Sequence, residues 1–164
     1  MAKAGNPGDK DRHVKPVCRN ATASREYAIE EKIEAGIVLT GSEVKSLRDG
    51  GASLKESYVS IDGGQAWLIN ANIAPYRCSS IFNHEPKRKR KLLLHLRQIE
   101  RIAGRLSQEG MTAIPLQMYF LEGKAKVEIG VGKGRKLHDK RDQIRKEEER
   151  REMRKAAGNR GDKS

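Results

Sequence analysis

The sequence is poor in aromatic residues and in cysteine, and it contains no long apolar run. Phe, Trp and Tyr make up 4% of the 164 residues, so a core must be built mainly from Ile, Val and Leu. The two cysteines, Cys18 and Cys78, are too few for a disulfide framework and lack zinc-ligand spacing. No segment is long and apolar enough to span a bilayer, and the first 15 residues lack the apolar centre of a secretory signal. These absences predict a cytoplasmic protein.

The sequence also lacks the spacings that mark catalytic or metal sites. The four histidines are scattered, and no pair has the close spacing of a metal site. The run GVGKG at residues 130–134 resembles part of a phosphate-binding loop, but the Lys-Ser/Thr that completes the motif is missing. Glu31 and Glu34 could act in acid–base chemistry, but surface hydrogen bonds or ion pairs are the simpler interpretation. We therefore expect neither an enzyme nor a cofactor.

Positive charge is what the chain has in excess. Lys and Arg total 34 against 22 Asp and Glu, which gives a net charge of +12 and a pI near 9.9. Residues 133–164 carry 13 of the cations and 7 of the acids, so half of the excess lies on this segment. Such a balance predicts a polyanionic partner, either nucleic acid or an acidic membrane surface.

The distribution of apolar residues predicts a folded body between two tails. Residues 1–19 contain few apolar groups and are predicted to be a mobile arm. Residues 20–132 form the body, and residues 133–164 form a basic tail whose lack of an apolar stripe predicts a helix only against a partner. Residues 130–141 (GVGKGRKLHDKR) are interpreted as a hinge that is also part of a binding surface. The alternative is a solvated charged end that frays.

Within the body, periodicity favours strands. Alternating apolar residues from Tyr27 to Leu39 predict a long strand bent at Gly36, and turn residues at 62–65 and 122–123 predict two hairpins. A helix is predicted at 43–48, and a longer one from Leu92 to Leu106, although residues 92–94 could equally form a strand. Residues 83–90 are predicted to be an exposed basic loop. About six strands with flanking helices suggest a mainly β protein, an antiparallel barrel of the OB type, with a split α+β sheet as the alternative.

The predicted helix 43–48 carries a possible binding face. Val44 and Leu47 lie three residues apart and would face the core, and Lys45 and Arg48 lie on the next row. Both cations could therefore reach one ligand. The alternative is a helix face that is merely solvated.

Five segments together resemble the SmpB family of bacterial SsrA-binding proteins. They occur in the family order between Asn20 and Arg141, and they are Asn20 with Glu26-Tyr27, EAGIVLTGSEVKSLR at 34–48, NIAPY at 72–76, PKRKRKLLLH at 86–95, and GVGKGRKLHDKR at 130–141.

The resemblance implies an OB barrel that binds the tRNA-like part of tmRNA (SsrA RNA) and delivers alanyl-tmRNA to stalled ribosomes for trans-translation. It implies that the basic tail becomes helical on the ribosome, in the decoding centre and the empty mRNA channel. The expected partners are therefore tmRNA, the ribosome including 16S rRNA, and elongation factor Tu.

Positions matching the family motifs become candidate contacts. Those expected to bind RNA are Asn20, Arg25, Tyr27, Glu34, Lys45, Arg48, Leu93, Lys133, Arg135 and Lys136. Those expected to contact the decoding centre are His138, Asp139, Lys140 and Arg141. For Leu93, packing under an unpaired base and burial in the core are equally weighted alternatives. Thr22 and Ser24 stand where the family commonly has cations. A ribosomal RNA-binding OB protein without tmRNA specificity and an enzyme acting on RNA are the alternative classes of function.

Overall fold

The computed structural model describes residues 13–78 and 83–158. Within these residues the chain forms nine strands and four helices. In chain order they are β1 (Val14–Arg19), α1 (Ala23–Glu26), β2 (Tyr27–Ile37), α2 (Gly41–Arg48), β3 (Ala52–Ser53), β4 (Tyr58–Asp62), β5 (Gln65–Ile69), β6 (Asn72–Ile73), β7 (Arg90–Leu93), α3 (Leu96–Leu106), β8 (Met111–Leu121), β9 (Lys124–Gly134) and α4 (Leu137–Gly158).

Six strands close into an antiparallel ring. The strand order is β1-β8-β4-β5-β7-β2-β9, and β8 also pairs with β9, so the ring runs from β8 through β4, β5, β7, β2 and β9 back to β8. β1 lies outside the ring, paired with β8. The prediction of an OB-like barrel of about six strands with flanking helices is confirmed.

Both predicted hairpins form. Gly63 and Gly64 connect β4 to β5 with φ of +58° and +72°, and Glu122 and Gly123 connect β8 to β9 with φ of +49° and +81°. Positive φ at both central residues gives a backbone twist that matches the twist of the flanking strands.

The core lies inside the ring and is mostly aliphatic. Ile33, Leu68 and Ile129 from three of its strands are buried, and Ile102 of α3 is fully buried against them. This agrees with the scarcity of aromatic residues in the sequence. Among the described residues, no helix has the length and apolar character that crossing a bilayer would need.

Two segments differ from the sequence predictions. Val14–Arg19, predicted to be part of a mobile arm, form β1 on the outer edge of β8. An edge strand shows weak apolar alternation because main-chain hydrogen bonds hold it, so the pattern gave no signal; the rest of the arm lies outside the described residues. The predicted helix from Leu92 begins only at Leu96, and the alternative of a strand at 92–94 is the better description, since β7 ends at Leu93.

The glycines at 130–134 serve the barrel rather than a hinge. They lie in β9, which continues to Gly134. A Cβ on Gly132 would lie 2.1 Å from the carbonyl oxygen of Ala28 on β2, beside the irregularity in pairing between Ile29 and Glu31. The absence of a side chain at Gly132 therefore lets two strands approach closely, where the sequence suggested the approach of a ligand.

The basic tail is helical in the chain alone. The sequence predicts a helix only against a partner, whereas α4 spans 22 residues although none of them is buried. Two side-chain contacts of Asp142 support it, because the carboxylate lies 3.6 Å from His138 Nε2 and 2.9 Å from Arg145 Nη2. A contact of Glu147 with α1, described below, attaches the helix to the body.

Candidate nucleic-acid interface

A groove of about 500 Å³ runs across β2, β7 and β9. Glu34 of β2, Leu93 of β7 and Lys126 of β9 line it. Side chains alternate along β7, so Leu92 is buried while Leu93 points outward with 55% of its surface exposed. The alternative of Leu93 as a core residue is therefore excluded.

The carboxylate of Glu34 is held at the edge of this groove. The hydroxyl of Tyr119, on β8, donates a hydrogen bond to Glu34 Oε2. Glu34 itself is exposed. The hydrogen bond fixes an acceptor beside an exposed apolar side chain, which is unusual on so basic a protein and suits a ligand that has both donors and an apolar face.

α2 presents the predicted cationic face. Lys45 and Arg48 are exposed, whereas Leu47 is buried. Lys45 Nζ lies 5.6 Å from the centroid of the Tyr76 ring, within the range of a cation–π contact. The two cations thus share the solvent side of α2, as the sequence predicted.

A buried ion cluster that the sequence analysis missed anchors α2. Glu43 and Arg90 are both fully buried. Arg90 Nε donates to Glu43 Oε2, and Arg88 Nη2 donates to Glu43 Oε1 at 2.5 Å. Arg90 also donates to the carbonyl oxygen of Ala71 at 2.8 Å. Arg90, predicted to lie in an exposed loop, is therefore an interior residue, because a carboxylate and main-chain carbonyls are available to it there.

The pKa values of this cluster follow from its contacts. Burial by itself raises the pKa of Glu43, but hydrogen bonds from Arg88, the Thr40 amide and Arg90 outweigh it and lower the pKa. Burial lowers the pKa of Arg90 against the opposing effect of Glu43. Thr40 N donates to Glu43 Oε1 at 2.9 Å at the start of α2, so the spacing Thr-x-x-Glu, typical of a capping box, was the available signal. The helix was predicted from the sequence to begin at residue 43, whereas α2 begins at Gly41.

His84 also ties α2 to β6. Its Nδ1 lies 2.9 Å from Ser42 Oγ, and its Nε2 lies 2.8 Å from the carbonyl oxygen of Ile73. Contacts of Ser42 and Glu43 therefore fix the helix that carries Lys45 and Arg48.

A second group of candidates surrounds α1. Tyr27 and Arg135 line one pocket of about 290 Å³, and Arg135 Nε donates to the Ser24 carbonyl at 3.2 Å. Asn20 uses its side-chain amide to donate to the Pro115 carbonyl at 3.1 Å. Arg25 Nε donates to Glu147 Oε2 of α4 at 2.8 Å. Of these four, Asn20, Arg25 and Arg135 have side-chain contacts within the protein.

The remaining candidates lie at the end of β9 and the start of α4. Lys133 is exposed at the end of β9, and Lys136 is exposed just before α4. The predicted decoding-centre contacts occupy the first turns of α4, and they are His138, Asp139, Lys140 and Arg141. In the described ranges, 13–78 and 83–158, no group of three or more His, Cys, Asp or Glu is placed to hold a metal ion.

Similarity to known proteins extends over the part of the chain that carries the candidate contacts. Residues 17–159 match the family model described as SmpB protein. The chain belongs to the SmpB family. The match covers every element from α1 to α4, and it also includes Asn20, so it covers all of the candidate contacts.

The relatives of this SmpB-family chain are similar over nearly their whole length. The SsrA-binding protein of Desulforudis audaxviator (strain MP104C) is 52% identical over 143 residues, which cover 87% of this chain and 94% of that protein. The SsrA-binding protein of Caulobacter vibrioides is 51% identical over 150 residues, covering 90% and 99%. A chain in a solved structure described as "tmRNA-SmpB: a journey to the center of the bacterial ribosome" is 43% identical with a TM-score of 0.65, covering 79% of this chain and 95% of that one.

Proposed function

We propose that this protein binds the tRNA-like part of tmRNA and delivers it to stalled ribosomes for trans-translation, as an RNA-binding protein of the cytoplasm and not as an enzyme. The observation that carries the proposal is the pairing of an exposed Leu93 with an anchored Glu34 in one groove. An anion on an RNA-binding surface must accept hydrogen bonds from a base edge or a 2′-hydroxyl, and an apolar side chain can pack under an unstacked base. The groove thus suits a folded RNA with unpaired bases.

Exposed cations on other elements supply contacts to the phosphates. Lys45 and Arg48 on α2 and Lys133 on β9 are exposed, and contacts of this kind orient a protein on RNA and provide most of its affinity. Tyr27, Arg135 and Lys136 extend the surface toward α1. In this arrangement residues 20–132 hold the RNA, together with Lys133, Arg135 and Lys136 at the start of the tail.

The tail, residues 133–164, acts on the ribosome. His138, Asp139, Lys140 and Arg141 contact 16S rRNA in the decoding centre, and the rest of α4 lies in the empty mRNA channel. The complex reaches the ribosome with elongation factor Tu and alanyl-tmRNA. An α4 without buried residues fits this role, since none of its side chains is committed to the core and they can meet a channel lined with phosphates.

Alanine substitution of both Lys45 and Arg48 tests the RNA-binding surface. Binding of a synthetic tRNA-like part of tmRNA is measured at several salt concentrations, and the slope of log K against log salt should become less steep by roughly one for each phosphate contact that is lost. A double variant of equal charge, Lys55→Ala with Arg154→Ala, should retain the wild-type affinity more closely. Equal losses in the two double variants would contradict the proposed surface.

Truncation after Arg141 tests the separate role of the tail. The shortened protein should bind the RNA at least as tightly as the full-length protein, because the candidate contacts of the body remain, but it should fail to support peptide tagging on stalled ribosomes. Tagging at the full-length rate would refute the proposed role. Sequencing of RNA that co-purifies from cells provides the check on specificity, since recovery of ribosomal RNA alone would contradict tmRNA binding.

A further inference from the structure

A single glutamate of the tail is bound by two neighbouring residues of the body. Glu147 of α4 accepts a hydrogen bond from Arg25 Nε at 2.8 Å on one carboxylate oxygen and from Ser24 Oγ at 3.2 Å on the other. No residue of α4, which lies wholly within the described part of the chain, is buried. The docking of α4 on α1 therefore depends strongly on one carboxylate.

The two donors form a site that suits an anion with several oxygens. A guanidinium and a hydroxyl that both reach one carboxylate present the same donors to two oxygens of a phosphate. Arg135 adds a third positive or donor group nearby, since its Nε donates to the Ser24 carbonyl. Without Glu147 the guanidinium groups of Arg25 and Arg135 lack this counter-charge, and the hydroxyl of Ser24 lacks this acceptor.

We propose that Ser24 and Arg25 form a binding site for an RNA backbone phosphate, and that Glu147 occupies this site in the free protein. RNA and the tail helix then compete for the same two side chains, and RNA binding releases α4 from the body. This inference rests on the proposed RNA binding, and it adds Ser24 to the interface together with an internal competitor.

The charge state of the competitor agrees with this arrangement. The hydrogen bond from Arg25 holds the pKa of Glu147 below its ordinary value, and Ser24 acts in the same direction. Glu147 is therefore ionised at neutral pH and resembles a phosphate oxygen in charge and hydrogen bonding.

The expected coupling is modest and reciprocal. Arg25 and Glu147 have 42% and 29% of their side-chain surfaces exposed, and partly exposed ion pairs of this kind shift equilibria by about 1.5- to 5-fold. By linkage, the factor by which the tail weakens RNA binding equals the factor by which RNA weakens docking of the tail. Once released, a helix without an apolar stripe frays, which leaves it able to adapt to a new surface.

The test compares two glutamate variants of the full-length protein. Glu147→Gln removes the competitor, and Glu148→Gln removes the same charge from an exposed neighbouring position of α4. Binding of the synthetic tRNA-like part of tmRNA at low salt should be about 1.5- to 5-fold tighter for Glu147→Gln than for Glu148→Gln. In an Arg25→Gln background this difference should disappear.

Amide hydrogen exchange gives an independent measurement. Adding the RNA to the wild-type protein should accelerate exchange throughout α4, and Glu147→Gln should show the faster exchange before any RNA is added. Equal affinities of the two glutamate variants, or an α4 whose exchange does not accelerate with RNA, would overturn the inference while leaving RNA binding itself intact. Wild-type protein that binds a control RNA of equal length just as well would overturn the proposed function and this inference together.

Discussion

The substitution Glu43→Gln should destabilise the protein strongly, although it changes one atom and its charge. Glu43 is fully buried between Arg90 and Arg88. Glutamine keeps the shape of the side chain, but its amide nitrogen places a donor where one of the two arginines needs an acceptor. The substitution therefore leaves the fully buried guanidinium of Arg90 without its counter-charge.

The size of the expected loss in stability depends on the hydrogen-bond acceptors that remain for each arginine. Removing one partner of a buried ion pair costs about 3–5 kcal/mol. Arg88 is only partly buried and can turn toward water, and Arg90 keeps hydrogen bonds to main-chain carbonyl oxygens, among them that of Ala71 at 2.8 Å and that of Pro86 at 3.1 Å. These remaining acceptors place the expected loss at the lower end, about 3 kcal/mol. That is a large part of the stability of an ordinary domain.

Urea denaturation at pH 7, followed by circular dichroism and extrapolated to water, measures this loss. The matched control is Glu30→Gln, because Glu30 also pairs with an arginine, Arg105, at 2.8 Å, but with 45% of its side chain exposed. An exposed pair contributes about 0–1 kcal/mol, so the control should unfold almost like the wild type. If Glu43→Gln loses no more stability than Glu30→Gln, the cluster does not stabilise the fold in the way argued here.

Two further predictions concern the pH dependence of stability and the close approach of β9 to β2. The folded-state pKa of Glu43 is lowered from its ordinary 4.5, so its ionisation stabilises the fold above pH 4.5, and this stabilisation is lost as the pH falls through the lowered value. The difference in unfolding free energy between wild type and Glu43→Gln should therefore shrink in titrations below pH 4.5 and stay constant above it. Gly132→Ala should destabilise the protein by about 1–3 kcal/mol, because its Cβ would lie 2.1 Å from the Ala28 carbonyl oxygen, whereas Gly134→Ala in the same strand meets nothing within 4 Å. Equal melting temperatures for the two alanine variants would contradict the packing argument.

The barrel could be predicted because its signals are local. Turn residues at both hairpins adopt positive φ, and the alternation along β2 is visible within the strand. The exposure of Lys45 and Arg48 followed from the spacing of their neighbours on one short helix. Leu93 was left open because a short apolar run does not reveal which of its residues faces inward.

The missed features depend on partners far away in sequence. Arg90 is one of five consecutive cations at 87–91, and only its proximity to Glu43, 47 positions earlier, distinguishes it from the others. The docking of α4 rests on a contact between Arg25 and Glu147 that spans 122 positions. The residue pattern within either segment cannot show a contact with a distant segment. The tail helix was therefore expected to form only on a partner.

The groove around Leu93 also has a consequence for the order of events in folding. Its walls come from β2, β7 and β9, and the hydrogen bond that fixes Glu34 comes from Tyr119, 85 positions away. Contacts of such long range form only after large loops have closed, and proteins dominated by them fold in times on the order of milliseconds to seconds. A nascent or partly folded chain therefore already carries the positive charge of the protein, whereas it has no groove. The groove exists only once the last strand has closed the ring.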